Sequence, residues 1–136
     1  MRYRLDELAT LAAELGLGRR RIHADRLDVD LGEMAVQFRN LPGGETLVGF
    51  DGTPWHAHGA VQLSTGDASY IECDELEVLL MLAAGELVVI SQFCDGKLRD
   101  RWISHREEGL ALRYMRAGEE LRVLRLPDEN QRQNIG

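Results

Sequence analysis

The chain has 136 residues, 44% of them hydrophobic and 29% charged, with a formal net charge of −7 at pH 7. This length and balance are typical of one globular domain that can bury its own hydrophobic core. The acidic charge argues against nucleic acid or an anionic membrane as the main partner, because both select for clustered lysines and arginines. A basic protein partner remains compatible with it.

The N-terminus and the cysteines indicate the compartment. The chain begins with a charged amphipathic segment and has no run of about 18 apolar residues, which a membrane span requires. Cys73 and Cys94 are not in a Cys-x-x-Cys spacing, so we expect two free thiols in a reducing compartment. The sequence therefore predicts a cytoplasmic protein with no membrane partner.

The first element predicted is a helix over residues 5–15. Apolar side chains recur there every three or four residues, and acidic side chains occupy the other side. Gly16 and Gly18 then end the helix, because glycine accepts the left-handed conformation common at that point. We interpret the following run, Arg19–Arg21, as a solvated loop beyond the helix C-terminus.

From residue 26 the hydrophobic period changes to two. Apolar residues alternate over 27–31 and again over 34–38, with a Gly-Glu turn between them, which predicts a β-hairpin. Asp28 and Asp30 would lie on its solvated face.

Further short strands follow. The breaker sequence at residues 41–44 precedes a strand predicted over 47–50. Two more strands, over 60–63 and 68–72, flank a Ser-Thr-Gly-Asp loop and predict a second hairpin.

A second helix is predicted over residues 76–84. Asp74 and Glu77 have the spacing of a capping box, and Gly85 ends the segment. This helix is apolar almost all round, so we expect it to be buried. A buried strand is the alternative, because the segment is short.

Asp95-Gly96 gives the strongest hairpin signal in the chain, between strands over 87–94 and 97–105. A two-residue turn fixes which residues face one another and therefore which share the core face. The predicted opposite pairs are Phe93 with Leu98, Val89 with Trp102, Leu87 with Ser104 and, on the other face, Glu86 with His105.

The C-terminal part has two interpretations. Alternation on either side of Ala117-Gly118 predicts a third hairpin, and a helix over 107–117 is the alternative.

The fold class is α+β: a mainly antiparallel sheet of consecutive β-hairpins, with an N-terminal helix and a second apolar helix packed on it. Residues 1–126 form the single domain, and the polar tail 127–136 is expected to be frayed.

The unusual residues concentrate at Trp55, His56 and His58, which are the predicted binding residues. In an extended chain, residues two apart point to the same face, so the two imidazoles could converge on one metal ion or one anionic group. His56 and His58 would supply two ligands to a divalent metal, and the third ligand is unknown. The candidates for it are Glu72, Cys73, Asp74, His105 and His23.

The fragment Trp55-His56-Ala57-His58 resembles the opening of the first metal motif of the cupin family. Cupins are small β-barrels in which a His-x-His pair binds a divalent metal. The family's glutamate downstream of the pair is missing, and His105 lacks the context of the family's second motif. The resemblance covers about a tenth of the chain, and no residue roles are carried over from it.

Two functions follow as hypotheses. The first is a non-catalytic binding or accessory domain that holds a protein partner through a sheet face or the Trp55 loop. It is supported by the acidic charge and by the lack of a complete catalytic set in the sequence. The second is a small metal-dependent enzyme or metal sensor centred on His56 and His58. The unpaired edges of a sheet leave a homodimer open.

Overall fold

The computed structural model describes residues 2–106 and 117–127, and the backbone of residues 129–134. This part of the chain consists of two helices and three antiparallel sheets. The α+β class predicted from the sequence is therefore confirmed. The helix predicted at the N-terminus is α1, Leu5–Glu14.

The second predicted helix is α2, Glu75–Ala83, and the strand alternative for this segment is wrong. Its capping box forms as the spacing predicts. The Asp74 carboxylate accepts from the backbone N–H of Glu77 at 2.8 Å, and the Glu77 carboxylate accepts from the backbone N–H of Asp74 at 3.0 Å. Both carboxylates also lie near the positive end of the helix dipole, which favours helix initiation here.

The first sheet contains five strands in chain order, each antiparallel to the next. They are β1 (Arg19–His23), β2 (Arg26–Asp30), β3 (Ala35–Asn40), β4 (Thr46–Phe50) and β5 (His56–Ala57). The hairpin predicted from residue 26 is the β2–β3 pair. The solvated loop expected at Arg19–Arg21 is wrong: these residues pair with β2 as an edge strand, and their side chains remain exposed. Pairing satisfies the backbone without requiring burial of the guanidinium groups.

The expectation that Asp28 lies on the solvated face of the hairpin is wrong, because Asp28 is only 6% exposed. The Arg26 guanidinium donates to both Asp28 oxygens, at 2.9 and 3.0 Å. This bidentate pairing compensates the charge of a carboxylate that is withdrawn from water. Asp30 is exposed, as predicted.

The remaining strands form two sheets. The second predicted hairpin is the β6–β7 pair, and the other sheet has the order β11-β10-β8-β9. The bounds are β6 (Val61–Ser64), β7 (Tyr70–Cys73), β8 (Leu87–Cys94), β9 (Lys97–His105), β10 (Glu119–Arg125) and β11 (Glu129–Asn134). The tail expected to be frayed therefore includes a strand, β11, whose backbone pairs with β10. The choice between hairpin and helix over 107–117 falls outside the described residues, apart from Ala117.

The Asp95-Gly96 turn forms, and Phe93 faces Leu98 as predicted. The register then shifts between Gln92 and Phe93, where β9 contains one additional residue, Arg99. Such a bulge moves all later pairs by one position and turns their side chains to the other face. The other three predicted pairs are therefore wrong. The observed pairs are Val89 with Ile103, Ile90 with Trp102, Val88 with Ser104 and Leu87 with His105.

One hydrophobic cluster joins both helices to all three sheets. Its largest fully buried side chains include Leu8 of α1, Phe38 of β3, Leu79 of α2 and Leu87 of β8. Trp102 instead packs on a smaller cluster on the opposite face of the β8–β9–β10 sheet. Within the described residues, no helix is long and apolar enough to cross a membrane.

Candidate functional site

The histidine pair lies on the edge strand β5 and just beyond it. His56 pairs with Gly49 of β4, and both His56 and His58 are exposed. Their ring centroids are 4.9 Å apart and their planes meet at 80°. The structure therefore brings the two imidazoles together in the way that a spacing of two residues predicts.

Backbone carbonyls fix both rings. His56 Nδ1 lies 3.0 Å from the carbonyl oxygen of Pro54, and His58 Nδ1 lies 2.5 Å from that of Thr46. A carbonyl oxygen can only accept, so each ring donates its proton from Nδ1. In the neutral ring this leaves the lone pair on Nε2, the atom free to bind a cation. No described residue bonds to either Nε2.

A buried tyrosine supports the segment behind the pair. The hydroxyl of Tyr3 donates to the carbonyl oxygen of Gly59 at 2.7 Å, and the Gly59 N–H donates to the Thr46 hydroxyl at 2.7 Å. Burial raises the pKa of Tyr3; a hydrogen bond with Thr46 opposes this shift, and the charge of Glu75 adds to it. The phenol therefore stays protonated and keeps its role as a donor.

The third ligand suggested by the sequence is not brought to the pair. Within the described part of the chain, no group of three His, Cys, Asp or Glu side chains is placed to hold a metal ion. Cys73 is 2% exposed and its sulfur lies 3.6 Å from that of Met81 in the core. Burial raises the pKa of Cys73, and the carboxylates of Glu77 and Asp74 raise it further.

Trp55 faces inward. Its ring packs against Phe50 with centroids 6.1 Å apart, and its side chain is only partly exposed. The backbone N–H of Trp55 donates to the Asp100 carboxylate on β9 at 3.0 Å. Trp55 therefore connects the segment before β5 to the sheet that contains β9, while His56 and His58 remain on the surface.

A groove between α1 and α2 is another candidate, and the sequence did not predict it. Its volume is about 430 Å³, and Leu11, Leu76 and Leu80 provide its apolar surface. Leu80 is 46% exposed, so α2 is not buried all round as expected. Residues 78–83 are apolar at every position, which is more than one buried face of a helix can accommodate. These additional apolar residues are the feature of the sequence that indicates an exposed apolar surface on α2.

The polar side of the groove is acidic. Asp6, Glu7 and Glu14 line it, and neither α1 nor α2 contains a lysine or arginine, although Arg4, which precedes α1, lies 3.8 Å from the Glu7 carboxylate. The side chain of Asp6 is 94% exposed although it pairs with Arg21 at 2.8 Å. The groove thus combines exposed apolar surface with a negative edge, the complement of a basic amphipathic segment.

A second cavity, of about 450 Å³, lies at the ends of β1, β2 and β3. Its charged lining residues are Arg19, Arg20, Asp28, Asp30 and Glu33. Because both signs of charge occur there, the lining does not select a ligand by charge.

Comparison of the chain with protein-family models, with curated proteins and with solved structures gives no significant match. The proposals for a function therefore rest on the histidine pair and on the groove between α1 and α2.

Proposed function

We propose that this chain is a non-catalytic binding domain that holds a basic partner protein, and that the partner docks in the groove between α1 and α2. The observation that carries the proposal is the exposed leucine surface bordered by carboxylates. A cytoplasmic location belongs to the same proposal, since both cysteines are free thiols.

Helix-in-groove binding suits this geometry. Two packed helices present a linear depression, into which an amphipathic helix can place side chains spaced three or four residues apart. Each leucine-sized side chain that becomes fully buried contributes about 1.5–3 kcal/mol before the cost of association. Lysines or arginines flanking the apolar face of the partner would meet Asp6, Glu7 and Glu14.

The acidic charge contributes mainly to the rate and selectivity of association. The net charge of −7 attracts a basic partner over about one Debye length, which is roughly 8 Å at physiological salt. Partner capture should therefore weaken as salt increases, while the apolar contacts with Leu80 retain the complex once it has formed.

Photo-crosslinking from the groove tests this function. A photoreactive amino acid replaces Leu80 in one chain and Ile22 in a matched control, because these side chains are 46% and 44% exposed. We expect position 80, and not position 22, to capture a protein of basic isoelectric point from the native cell. Mass spectrometry identifies the captured protein and the segment attached to the probe.

A charge variant completes this test. Glu14→Lys in the Leu80 probe chain should reduce capture of the same protein, whereas Glu33→Lys, which lies outside the groove, should not. Equal capture from positions 80 and 22, or capture of acidic proteins, would contradict the proposal.

The alternative function, a small metal-dependent enzyme or metal sensor centred on His56 and His58, retains one supporting observation. Both Nε2 atoms are free to bind a metal. A site within one chain also needs a third ligand. Elemental analysis of the purified chain, compared with a His56→Ala/His58→Ala variant, tests whether one metal ion is bound per chain.

A further inference from the structure

We propose that His56 and His58 of two copies of this chain together bind one Zn²⁺ ion, which makes the chain a metal-dependent homodimer. The two rings 4.9 Å apart supply half of a tetrahedral site, and a second copy related by a two-fold axis supplies the other half. This inference does not depend on the partner groove between the helices.

Hydrogen bonds to backbone carbonyls hold both imidazole rings in an orientation that suits metal binding. Histidines that bind a metal through one ring nitrogen commonly donate the other N–H to a carbonyl or carboxylate, which fixes the tautomer and the direction of the ring. Pro54 and Thr46 supply these carbonyl oxygens for His56 and His58. Both lone pairs are therefore oriented before the metal arrives, and little side-chain entropy is lost on binding.

His23 shows the opposite arrangement. It is also exposed, but its Nδ1 accepts from the backbone N–H of Asp25 at 3.2 Å, so a neutral ring carries its proton on Nε2. Its tautomer is thus held in the form that cannot bind a cation at Nε2. The bonding at His56 and His58 is therefore not shared by every exposed histidine of the chain.

The position of the pair favours a second copy as the source of the missing ligands. Within the described residues, no third His, Cys, Asp or Glu joins the two histidines. β5 is the outermost strand of its sheet, so another molecule can approach the exposed rings without displacing an existing strand. Two identical pairs facing each other give four imidazole ligands, which match the tetrahedral preference of Zn²⁺.

Electrostatics makes such a dimer dependent on the metal. Each chain carries a formal charge of −7, so two chains repel each other, and four neutral imidazoles add no charge. The Zn²⁺ ion contributes both the bonds and positive charge at the contact. Dimerisation should therefore require zinc, and it should strengthen as salt screens the repulsion.

Analytical ultracentrifugation of the tag-free full chain tests the proposal. The probe is ZnCl₂ at about half a molar equivalent, and excess EDTA is the reversal. We expect the mass to rise from 15.3 kDa to twice that value with zinc and to return with EDTA. Elemental analysis of the dimer fraction should give one zinc ion for two chains.

Three variants isolate the ligands. His56→Asn and His58→Asn keep an N–H donor near the position of Nδ1 while removing Nε2, and each should abolish the doubling of mass with an unchanged circular dichroism spectrum. His23→Asn should dimerise like the parent chain. One zinc ion per monomer would overturn the bridged site and support a site within one chain. Absence of zinc binding, or dimerisation that persists in both asparagine variants, would also overturn it.

Discussion

The buried carboxylate of Glu75 joins the two helices through Arg4. Glu75 is 2% exposed, and its oxygens accept from the backbone N–H of Arg4 at 2.8 Å and from the Arg4 guanidinium at 3.1 Å. Arg4 directly precedes α1, and Glu75 is the first residue of α2. This contact therefore holds together the N-terminal ends of the helices that line the proposed docking groove.

Removing that carboxylate should destabilise the domain. Glu75→Ala leaves the backbone N–H of Arg4 without its acceptor, and we expect a loss of about 1–3 kcal/mol in the free energy of unfolding. Glu75→Gln keeps an acceptor oxygen and should lose less. Urea denaturation of the three proteins measures the difference, and equal stability of both variants with the parent chain would show that the contact is not needed.

The two faces of α2 should respond differently to truncation. Leu79 is 0% exposed, so Leu79→Ala should cost about 2–5 kcal/mol through lost burial and a residual cavity. Leu80→Ala, at the half-exposed neighbouring position, should change stability by only about 0.5 kcal/mol. Thermal and urea unfolding measure both changes. A large loss for Leu80→Ala would mean that Leu80 serves the core, which would argue against a groove kept for a partner.

The two thiols should react at very different rates. Burial, followed by the charges of Glu77 and Asp74, raises the pKa of Cys73, so the fraction of reactive thiolate is lowered and access is blocked. Cys94 is only partly buried. Alkylation with iodoacetamide near neutral pH, followed by peptide mass spectrometry, should label Cys94 first. Rapid labelling of Cys73 in the folded protein would contradict its placement.

Tyr3 should make stability depend on pH in the alkaline range. Its folded-state pKa is raised above the ordinary value of a tyrosine, about 10, first of all by burial. Above that value the unfolded chain loses the proton while the folded chain keeps it, so the free energy of unfolding falls as pH rises through the folded pKa. Tyr3→Phe should show a shallower decline between about pH 9 and 11. Identical slopes in urea denaturation would exclude this contribution from Tyr3.

The sequence predicted those features that depend on residues close together in the chain. The Asp95-Gly96 turn follows from its residues, since both have positive φ, 51° and 80°, as a type I′ turn requires. The capping box of α2 and the proximity of His56 and His58 likewise depend on residues two or three positions apart. For these features the sequence was sufficient.

Features that depend on distant contacts could not be predicted. The bulge at Arg99 changes the register of β9 next to Asp100, whose carboxylate accepts from Trp55, a residue 45 positions away. The orientation of His58 depends on the Thr46 carbonyl, and the groove exists only because α1 packs beside α2. Sequence periodicity contains no information on such pairings, so Trp55 was predicted as a binding residue and the whole helix around Leu80 as buried.

Chemical-shift mapping with the captured partner tests whether that partner docks in the groove between α1 and α2. The ¹⁵N-labelled chain is titrated with the basic segment identified by crosslinking, and the amide shifts are assigned by residue. We expect the largest changes in α1 and α2, around Leu11, Leu76 and Leu80, and their loss in Leu80→Asp. Changes confined to the segment from Trp55 to His58, with unchanged helix resonances, would contradict it.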